Sequence, residues 1–255
     1  MTSATFRFYA ELNALLPNKN RFKDIRQEFK GRQTVKHLIE SLGIPHTQVD
    51  LILANGKSVD FKYIPQEGDA ISVYPVFESF DISPLIRLRP QPLRETKFVL
   101  DGHLGRLASF LRMLGFDTLY RNDFSDTELA STSLNENRIL LTRDRGLLKR
   151  SLVTHGYLLI TRDPRQQLLT VIRRFDLLSS CKQFSRCIAC NGLLEPICKI
   201  DVINQLEPRT KQYFKVFKHC GNCGKVYWKG SHYDRMVSFI EWVKTSSADC
   251  PGEQV

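Results

Sequence analysis

From Lys97 onward the chain alternates short apolar strands with single helices, and this alternation restricts the fold more than any other feature. KFVL leads into LGRLASFLRMLG and FDTLYR into a helix from Asp126 to about 134. RILLT leads into a helix from Asp144 to about 150, and GYLLIT into PRQQLLTVIRRFDLL. In the first helix Leu104, Leu107, Ala108, Leu111 and Leu114 form one apolar stripe, closed by Gly115. Strands separated by single helices predict a parallel sheet between two helical layers, an α/β/α domain over residues 97–180. A parallel sheet collects the carboxyl ends of its strands along one edge, where ligands bind. Asp101, Asp126 and Asp144 each fall where a strand gives way to a loop or helix, so they are candidate ligands for divalent metal.

The chemistry that needs such a set is phosphodiester hydrolysis, in which carboxylates hold two hard cations roughly 4 Å apart. One cation activates water and the other neutralises the leaving oxygen. Each carboxylate also has a structural reading. Asp101 ends an apolar strand just before Gly102 and a helix, and is the carboxylate least easily explained as structural, with capping of that helix as the alternative; Asp144 in Leu-Thr-Arg-Asp-Arg has the same two readings. Ser125-x-x-Glu128 fits a capping box, in which Asp126 and Glu128 suit the first helical turn. Asp163, a fourth candidate, precedes Pro164 in the pattern of an N-cap with proline at the first helical position. Asp123 reads as a turn residue, and His103 either orients water or phosphate or lies on the surface. Arg143, Arg145, Lys149 and Arg150 cluster beside Asp144, as phosphate-binding candidates or as a solvated helix face.

Downstream, Cys187-x-x-Cys190 and Cys220-x-x-Cys223 form two thiolate pairs separated by 29 residues, the spacing of a zinc ribbon over residues 181–245. Gly192 and Gly224 follow the pairs and supply the freedom that tight knuckles need. Four thiolates complete a tetrahedron, so the zinc is expected to be structural, with His219 and His232 unneeded. Cys181, Cys198 and Cys250 have no partner spacing. Lys225-Val-Tyr-Trp-Lys-Gly-Ser-His-Tyr-Asp-Arg interleaves aromatics with bases, which makes Lys225, Tyr227 and Lys229 candidates for contact with unpaired nucleotides. Tyr227 and Trp228 are alternatively packing residues.

Residues 1–78 read as strand TFRFYA, a polar stretch, helix TVKHLIESLG, strand VDLILA, an Asn55-Gly56 turn, strand KSVDF and a closing DAISVYPVF. Thr34 and Gly43 are the expected caps of the helix. This order resembles the ubiquitin-like β-grasp, particularly its sulfur-carrier branch, although the free Gly-Gly tail of a carrier is missing. A docking or regulatory role is expected instead. Residues 79–96, with three prolines and three arginines, read as an extended linker, and 246–255 as a disordered tail.

The net charge of +10 is unevenly spread: +1 over residues 1–80, +5 over 81–180 and +4 over 181–255. An anionic partner is therefore expected at the aspartate and cysteine segments. No apolar run nears the roughly 18 residues of a membrane helix, and Met1 leads into a polar, strand-like segment rather than a signal peptide. Seven cysteines, four of them in paired spacing, fit a reducing compartment, so the cytoplasm is expected and no membrane partner.

KFVLDGHLGRLASFLRMLGFDTLYRND, SDTELA, RILLTRDRGLLKR, SRCIACNG and CGNCGKVYWKGSHYDRM closely resemble the Mut-seven-C family, a branch of the PIN-like nucleases. The resemblance covers about residues 96–236, and the N-terminal portion resembles the ubiquitin-like domain that accompanies this family in bacterial proteins. It implies a PIN-like fold, magnesium- or manganese-dependent RNA cleavage and a C-terminal zinc ribbon. Its acidic positions fall on Asp101, Asp126 and Asp144, with Asp163 as a fourth. PIN-like domains often pair, which implies a homodimer as one arrangement. Two functions of different class follow: an endoribonuclease, or an RNA- or ribosome-binding adaptor with a weakly active or inactive PIN-like domain.

Overall fold

The computed structural model describes residues 2–75 and 96–248. In chain order the first half holds β1 (Thr2–Phe8), α1 (Leu12–Leu15), β2 (Ile25–Phe29), α2 (Val35–Ser41), β3 (Val49–Ala54), β4 (Lys57–Val59) and β5 (Ala70–Pro75). Next come β6 (Lys97–Leu100), α3 (Gly105–Met113), β7 (Asp117–Tyr120), α4 (Asp126–Asn135), β8 (Ile139–Thr142), α5 (Arg145–Leu148), β9 (Gly156–Leu158) and α6 (Pro164–Arg174). The C-terminal part holds β10 (Leu194–Ile197), α7 (Lys199–Val202), α8 (Pro208–Tyr213), β11 (Phe217–Cys220), β12 (Val226–Trp228) and α9 (Ser231–Ala248). The expected linker lies outside the described residues except for its last position, Thr96. Helix α9 carries on three residues into the expected tail, and the remainder of that tail also lies outside the described residues.

The chain divides into two compact units, Met1–Glu95 with Phe124–Leu159, and Thr96–Asp123 with Ile160–Val255. In the first, five strands run in the order β2-β1-β5-β3-β4, with β1 parallel to β5 and the other pairs antiparallel. This is the ubiquitin-like β-grasp. Alternating apolar residues send Phe6, Phe8, Ile52, Ile71 and Val73 to one face, where they are buried with Leu38 and Ile39 of α2. Thr34 caps α2, accepting a hydrogen bond from the His37 N–H at 3.3 Å. Gly43 ends the helix at φ +100°, and the Ile44 N–H reaches back to the Ile39 carbonyl at 3.3 Å. Asn55 and Gly56 both take positive φ, 51° and 79°, as the two-residue turn of a right-twisted hairpin requires. Strand β2 falls in what reads as a polar stretch. Only Ile25 and Phe29 of IRQEF are apolar, and pairing with β1 on one side is enough to hold it.

Within the same unit β8 pairs parallel with β9, and α5 stands between them in the chain. The second unit carries another parallel pair, β6 with β7, linked by α3. Gly115 closes α3 at φ +97°, where an added Cβ would also stand 2.2 Å from the Lys182 carbonyl oxygen. Leu104, Leu107, Ala108 and Leu111 are buried as the stripe predicts, together with Phe98, Leu168 and Ile172. Helix α9 was not expected from the sequence. Its Phe239 ring packs 4.6 Å from Phe110 of α3, and Arg165 of α6 lies over the Trp242 ring at 5.5 Å. The three-stranded sheet β10-β11-β12 is antiparallel, over a small core of Val202, Leu206 and Phe217.

Candidate functional site

Asp101 follows β6 directly, and Asp144 comes two residues after the end of β8. Both are N-caps. The His103 N–H donates to Asp101 Oδ1 at 2.8 Å, and the Gly146 N–H donates to Asp144 Oδ1 at 2.7 Å. Asp163 caps α6 in the same way, accepting from the Arg165 N–H at 3.1 Å with Pro164 at the first helical position. Capping occupies one carboxylate oxygen with a backbone donor and fixes the side-chain rotamer.

Asp126 opens α4 behind a complete capping box. The Ser125 hydroxyl accepts from the Glu128 N–H at 3.3 Å, and the Glu128 carboxylate accepts from the Ser125 N–H at 2.8 Å. With Ser125 as the N-cap and Glu128 closing the box, Asp126 turns its Oδ2 to Arg150, 3.2 Å from Nη2. Asp123 pairs with Arg121 at 3.0 Å, the local turn contact expected of it. Asp126 and Asp144 belong to the first unit and Asp101 and Asp163 to the second; Asp126, Asp144 and Asp163 are exposed and Asp101 is half-buried. Exposed carboxylates are hard oxygen donors of the kind that magnesium and manganese take, and they leave room for the water those ions retain.

The basic residues beside Asp144 have definite neighbours. Lys149 Nζ donates to the Glu40 carbonyl at 2.7 Å, so its charge faces the β-grasp domain. The Arg145 guanidinium passes Gly43, where an added Cβ would stand 3.6 Å from Nη1. Two further contacts fix the same region. Gln48 Nε2 donates to the Gly156 carbonyl at 2.8 Å, and His46 Nε2 lies 3.0 Å from the Val153 carbonyl while Nδ1 lies 2.7 Å from Glu40 Oε1. Burial works against ionisation of Glu40, but the His46 hydrogen bond and charge hold its carboxyl below the ordinary value.

The cysteines form a ready-gathered centre. The Sγ atoms of Cys187, Cys190, Cys220 and Cys223 lie within 4.8 Å of one another, with Cys187 to Cys223 at 3.6 Å and Cys190 to Cys220 at 3.3 Å. Tetrahedral zinc with bonds near 2.3 Å places sulfurs at about this spacing, so the four side chains could bind zinc. Among the described residues they are the group of three or more His, Cys, Asp or Glu side chains gathered closely enough to share an ion.

The two knuckles match. The Asn191 N–H donates to the Cys187 carbonyl at 2.9 Å, as the Gly224 N–H does to the Cys220 carbonyl at 2.9 Å. The left-handed residues are Asn191 (φ 73°) and Gly224 (φ 72°), so in the first knuckle asparagine, not Gly192, makes the turn. Gly192 is small for another reason: a Cβ there would stand 2.7 Å from Cys220 Sγ.

Asn191 repays its strained backbone through its side chain. Oδ1 accepts from the Thr118 N–H at 2.9 Å and Nδ2 donates to Asp117 Oδ1 at 2.8 Å. Arg186 adds an ion pair to Asp117 at 3.3 Å. Arg112 of α3 donates from Nε to the Thr118 carbonyl and from Nη1 to the Ile188 and Ala189 carbonyls, at 2.9, 3.1 and 2.8 Å. The sequence held a signal for this arginine, since it lies four residues beyond Ala108 on the apolar stripe.

Burial opposes ionisation at Cys187, yet the Tyr227 hydroxyl at 3.0 Å and the neighbouring cysteines bring its thiol down to about 6. Cys190 is pushed up to about 12 by burial and by sharing its proton with the other thiols. One thiolate thus forms readily, and a metal ion would draw out the others. Tyr227, a nucleotide-contact candidate from the sequence, is tied to the cysteine centre by its hydroxyl. Lys225 lies over the Tyr227 ring at 5.9 Å.

Fold and site together define a ubiquitin-like β-grasp joined to a parallel-stranded α/β fold that carries capping aspartates after its strands and a four-cysteine centre of zinc-ribbon type. Residues 96–240 match the family model of the Mut7-C RNAse domain, and residues 1–81 match that of the Mut7-C ubiquitin domain. The first match spans more than half of the 255 residues, and the chain belongs to the Mut7-C family. Comparison with curated proteins and with solved structures finds no match. Among the described residues no helix is long and apolar enough to cross a membrane.

Proposed function

We propose that the protein is a ribonuclease that hydrolyses RNA phosphodiester bonds with magnesium or manganese held by Asp101, Asp126 and Asp144. The observation that carries this reading is the RNAse-domain match over residues 96–240, which runs through all three carboxylates and all four cysteines. The bound cations would activate water and neutralise the leaving oxygen. Asp101 and Asp144 contribute fixed carboxylates, because a backbone N–H already clamps one oxygen of each. Arg150 limits the charge repulsion that Asp126 would feel from a neighbouring carboxylate. Arg143, Arg145, Lys225 and Lys229 are the candidates for phosphate contacts, and Asp163 serves as a helix cap rather than a fourth ligand. Zinc in the four-thiolate centre is structural, since four sulfurs leave no open position for chemistry. Residues 97–180 act as the nuclease domain, in a reducing compartment such as the cytoplasm.

The β-grasp domain acts as a clamp on the segment that follows Asp144. His46, Gln48 and the Glu40 carbonyl together hold positions 149, 153 and 156. Any protein partner would use another face of that domain.

The adaptor reading is kept alive by one observation: Asp101 and Asp144 are helix caps, and capping alone accounts for a carboxylate at each position. Asp101→Asn and Asp144→Asn separate the two. Asparagine keeps most of the capping capacity but removes an anionic ligand, so single-stranded RNA cleavage in magnesium or manganese should fall at least about a hundredfold with the fold retained. Cleavage within about threefold of wild type in both folded variants would leave the aspartates as caps and remove this site from the reaction.

A further inference from the structure

In the C-terminal unit a groove of about 370 Å³ opens between the β10-β11-β12 sheet and the first turns of α9. Five aromatic side chains line it: Phe184, Phe217, Tyr227, Trp228 and Tyr233. The Phe184 and Tyr233 rings stand 4.8 Å apart and tilted by 40°, and Lys229 Nζ lies over the Tyr233 ring at 5.4 Å. No carboxylate lines it; of its cations Arg186 is paired with Asp117 and Lys218 is bonded to a backbone carbonyl, while Lys229 is exposed.

The groove is also built with some strain. Phe184 takes φ 54°, a left-handed conformation unusual for a bulky aromatic residue. Two contacts accompany it: the Phe184 N–H donates to the Met113 carbonyl at 3.0 Å, and its carbonyl accepts from Lys218 Nζ at 3.1 Å. Backbone strain of this sort concentrates where a ligand is clamped.

Aromatic walls with cations and no acid suit a flat π-bearing group that carries negative charge beside it. An unpaired nucleotide fits both requirements: its base stacks on aromatic rings and its phosphates meet lysines. The volume admits a single nucleotide rather than a duplex, and the apolar floor of Ile188, Leu194 and Met236 suits a base better than an inorganic ion. We infer that this groove is an RNA-binding subsite that seats one unpaired base against Phe184 and Tyr233, with Lys229 taking an adjoining phosphate. The inference rests on the reading of RNA as substrate and adds to it a subsite away from the carboxylates.

The test uses the full zinc-loaded chain and a fluorescein-labelled single-stranded oligoadenylate in magnesium-free buffer, so that binding is read without cleavage. Tyr233→Leu and Lys229→Glu should each weaken binding at least about tenfold, while Tyr233→Phe should stay within about twofold, because stacking needs the ring and not the hydroxyl. Zinc content and circular dichroism check the fold. Should Tyr233→Leu misfold, Lys229→Glu alone carries the comparison, since Lys229 is exposed. Photocrosslinks from 5-bromouridine RNA are expected on Phe184, Trp228 or Tyr233. Wild-type binding with all variants unchanged and crosslinks elsewhere would overturn the subsite and leave the nuclease reading standing. Loss of binding in these variants with no cleavage by wild type would do the reverse. No binding of any single-stranded RNA would overturn both.

Discussion

Arg112→Met is the most informative perturbation of the cysteine centre. Arg112 is 4% exposed and donates three hydrogen bonds that tie α3 and β7 to the first knuckle. Burial holds its pKa below the ordinary guanidinium value, and the neighbouring cysteine centre and Asp117 offset only part of that. Bonds from a charged donor contribute about 1.5–3 kcal/mol each. Two of the three lie where water can replace the lost donor, at Ile188 and Ala189; the third, at Thr118, is fully buried and would leave a stranded carbonyl. Methionine fills similar space and spares the cost of desolvating the guanidinium, which offsets part of the loss. The expected net destabilisation is therefore about 3–4 kcal/mol rather than the simple sum.

Both tryptophans of the chain, Trp228 and Trp242, lie in the same unit as Arg112, so urea unfolding followed by their fluorescence reports the relevant part of the molecule. Zinc release to a chromogenic chelator should accelerate at least about tenfold, equivalent to about 1.4 kcal/mol. Arg112→Lys should fall between wild type and the methionine variant, since an ammonium keeps the charge but cannot span three carbonyls. A loss under about 1 kcal/mol with unchanged zinc release would refute the idea that this arginine anchors the knuckle.

Gly192→Ala should weaken zinc binding by at least about tenfold, because the new Cβ, 2.7 Å from Cys220 Sγ, must displace a ligand from contact distances of about 3.5–4 Å. Gly221→Ala, with no atom within 4 Å of its added Cβ, should leave competition titrations unchanged; equal losses in both would remove the steric argument. Asp69, 6% exposed, accepts from Tyr63 Oη at 2.7 Å, Asn55 Nδ2 at 2.8 Å and the Gln66 N–H at 2.8 Å. Burial raises its pKa, but these hydrogen bonds more than reverse that and leave it below the usual carboxylate value. Its stabilisation is accordingly present above the unfolded pKa near about 3.9 and is lost as pH falls through the lower folded value. Asp69→Asn should cost about 2–4 kcal/mol at neutral pH, read by amide exchange in the β3–β4 hairpin. The gap to wild type should close in acid, and a gap that stays constant would count against the linkage.

Local signals were the legible ones. Thr34, the Asn55-Gly56 turn, the Ser125–Glu128 box, Gly115 and the two cysteine pairs each act within a few residues, so their spacing carries their meaning. Features made by distant partners were not legible. Asn191 takes its role from Asp117 and Thr118 more than 70 positions away, and Arg112 from Ile188 and Ala189 at a similar separation. Helix α9 went unread because YWKGSHYDRM, with its aromatics among bases, reads equally as a contact surface; only packing against Phe110 and Arg165 decides for Phe239 and Trp242. At Asp101 and Asp144 the sequence held two meanings, and the capping half is visible in the fold.

The grip of His46 and Gln48 on Val153 and Gly156 has a consequence for modularity. A ubiquitin-like unit used as a portable tag could be moved, swapped or shed without touching the rest of its chain. Here removal of residues 1–75 would strip the Val153 and Gly156 carbonyls of their donors and leave Lys149 without its acceptor. The N-terminal domain and the Asp144 segment therefore have to change together, and a graft from a relative would need positions 40, 46, 48, 149, 153 and 156 transferred as one set.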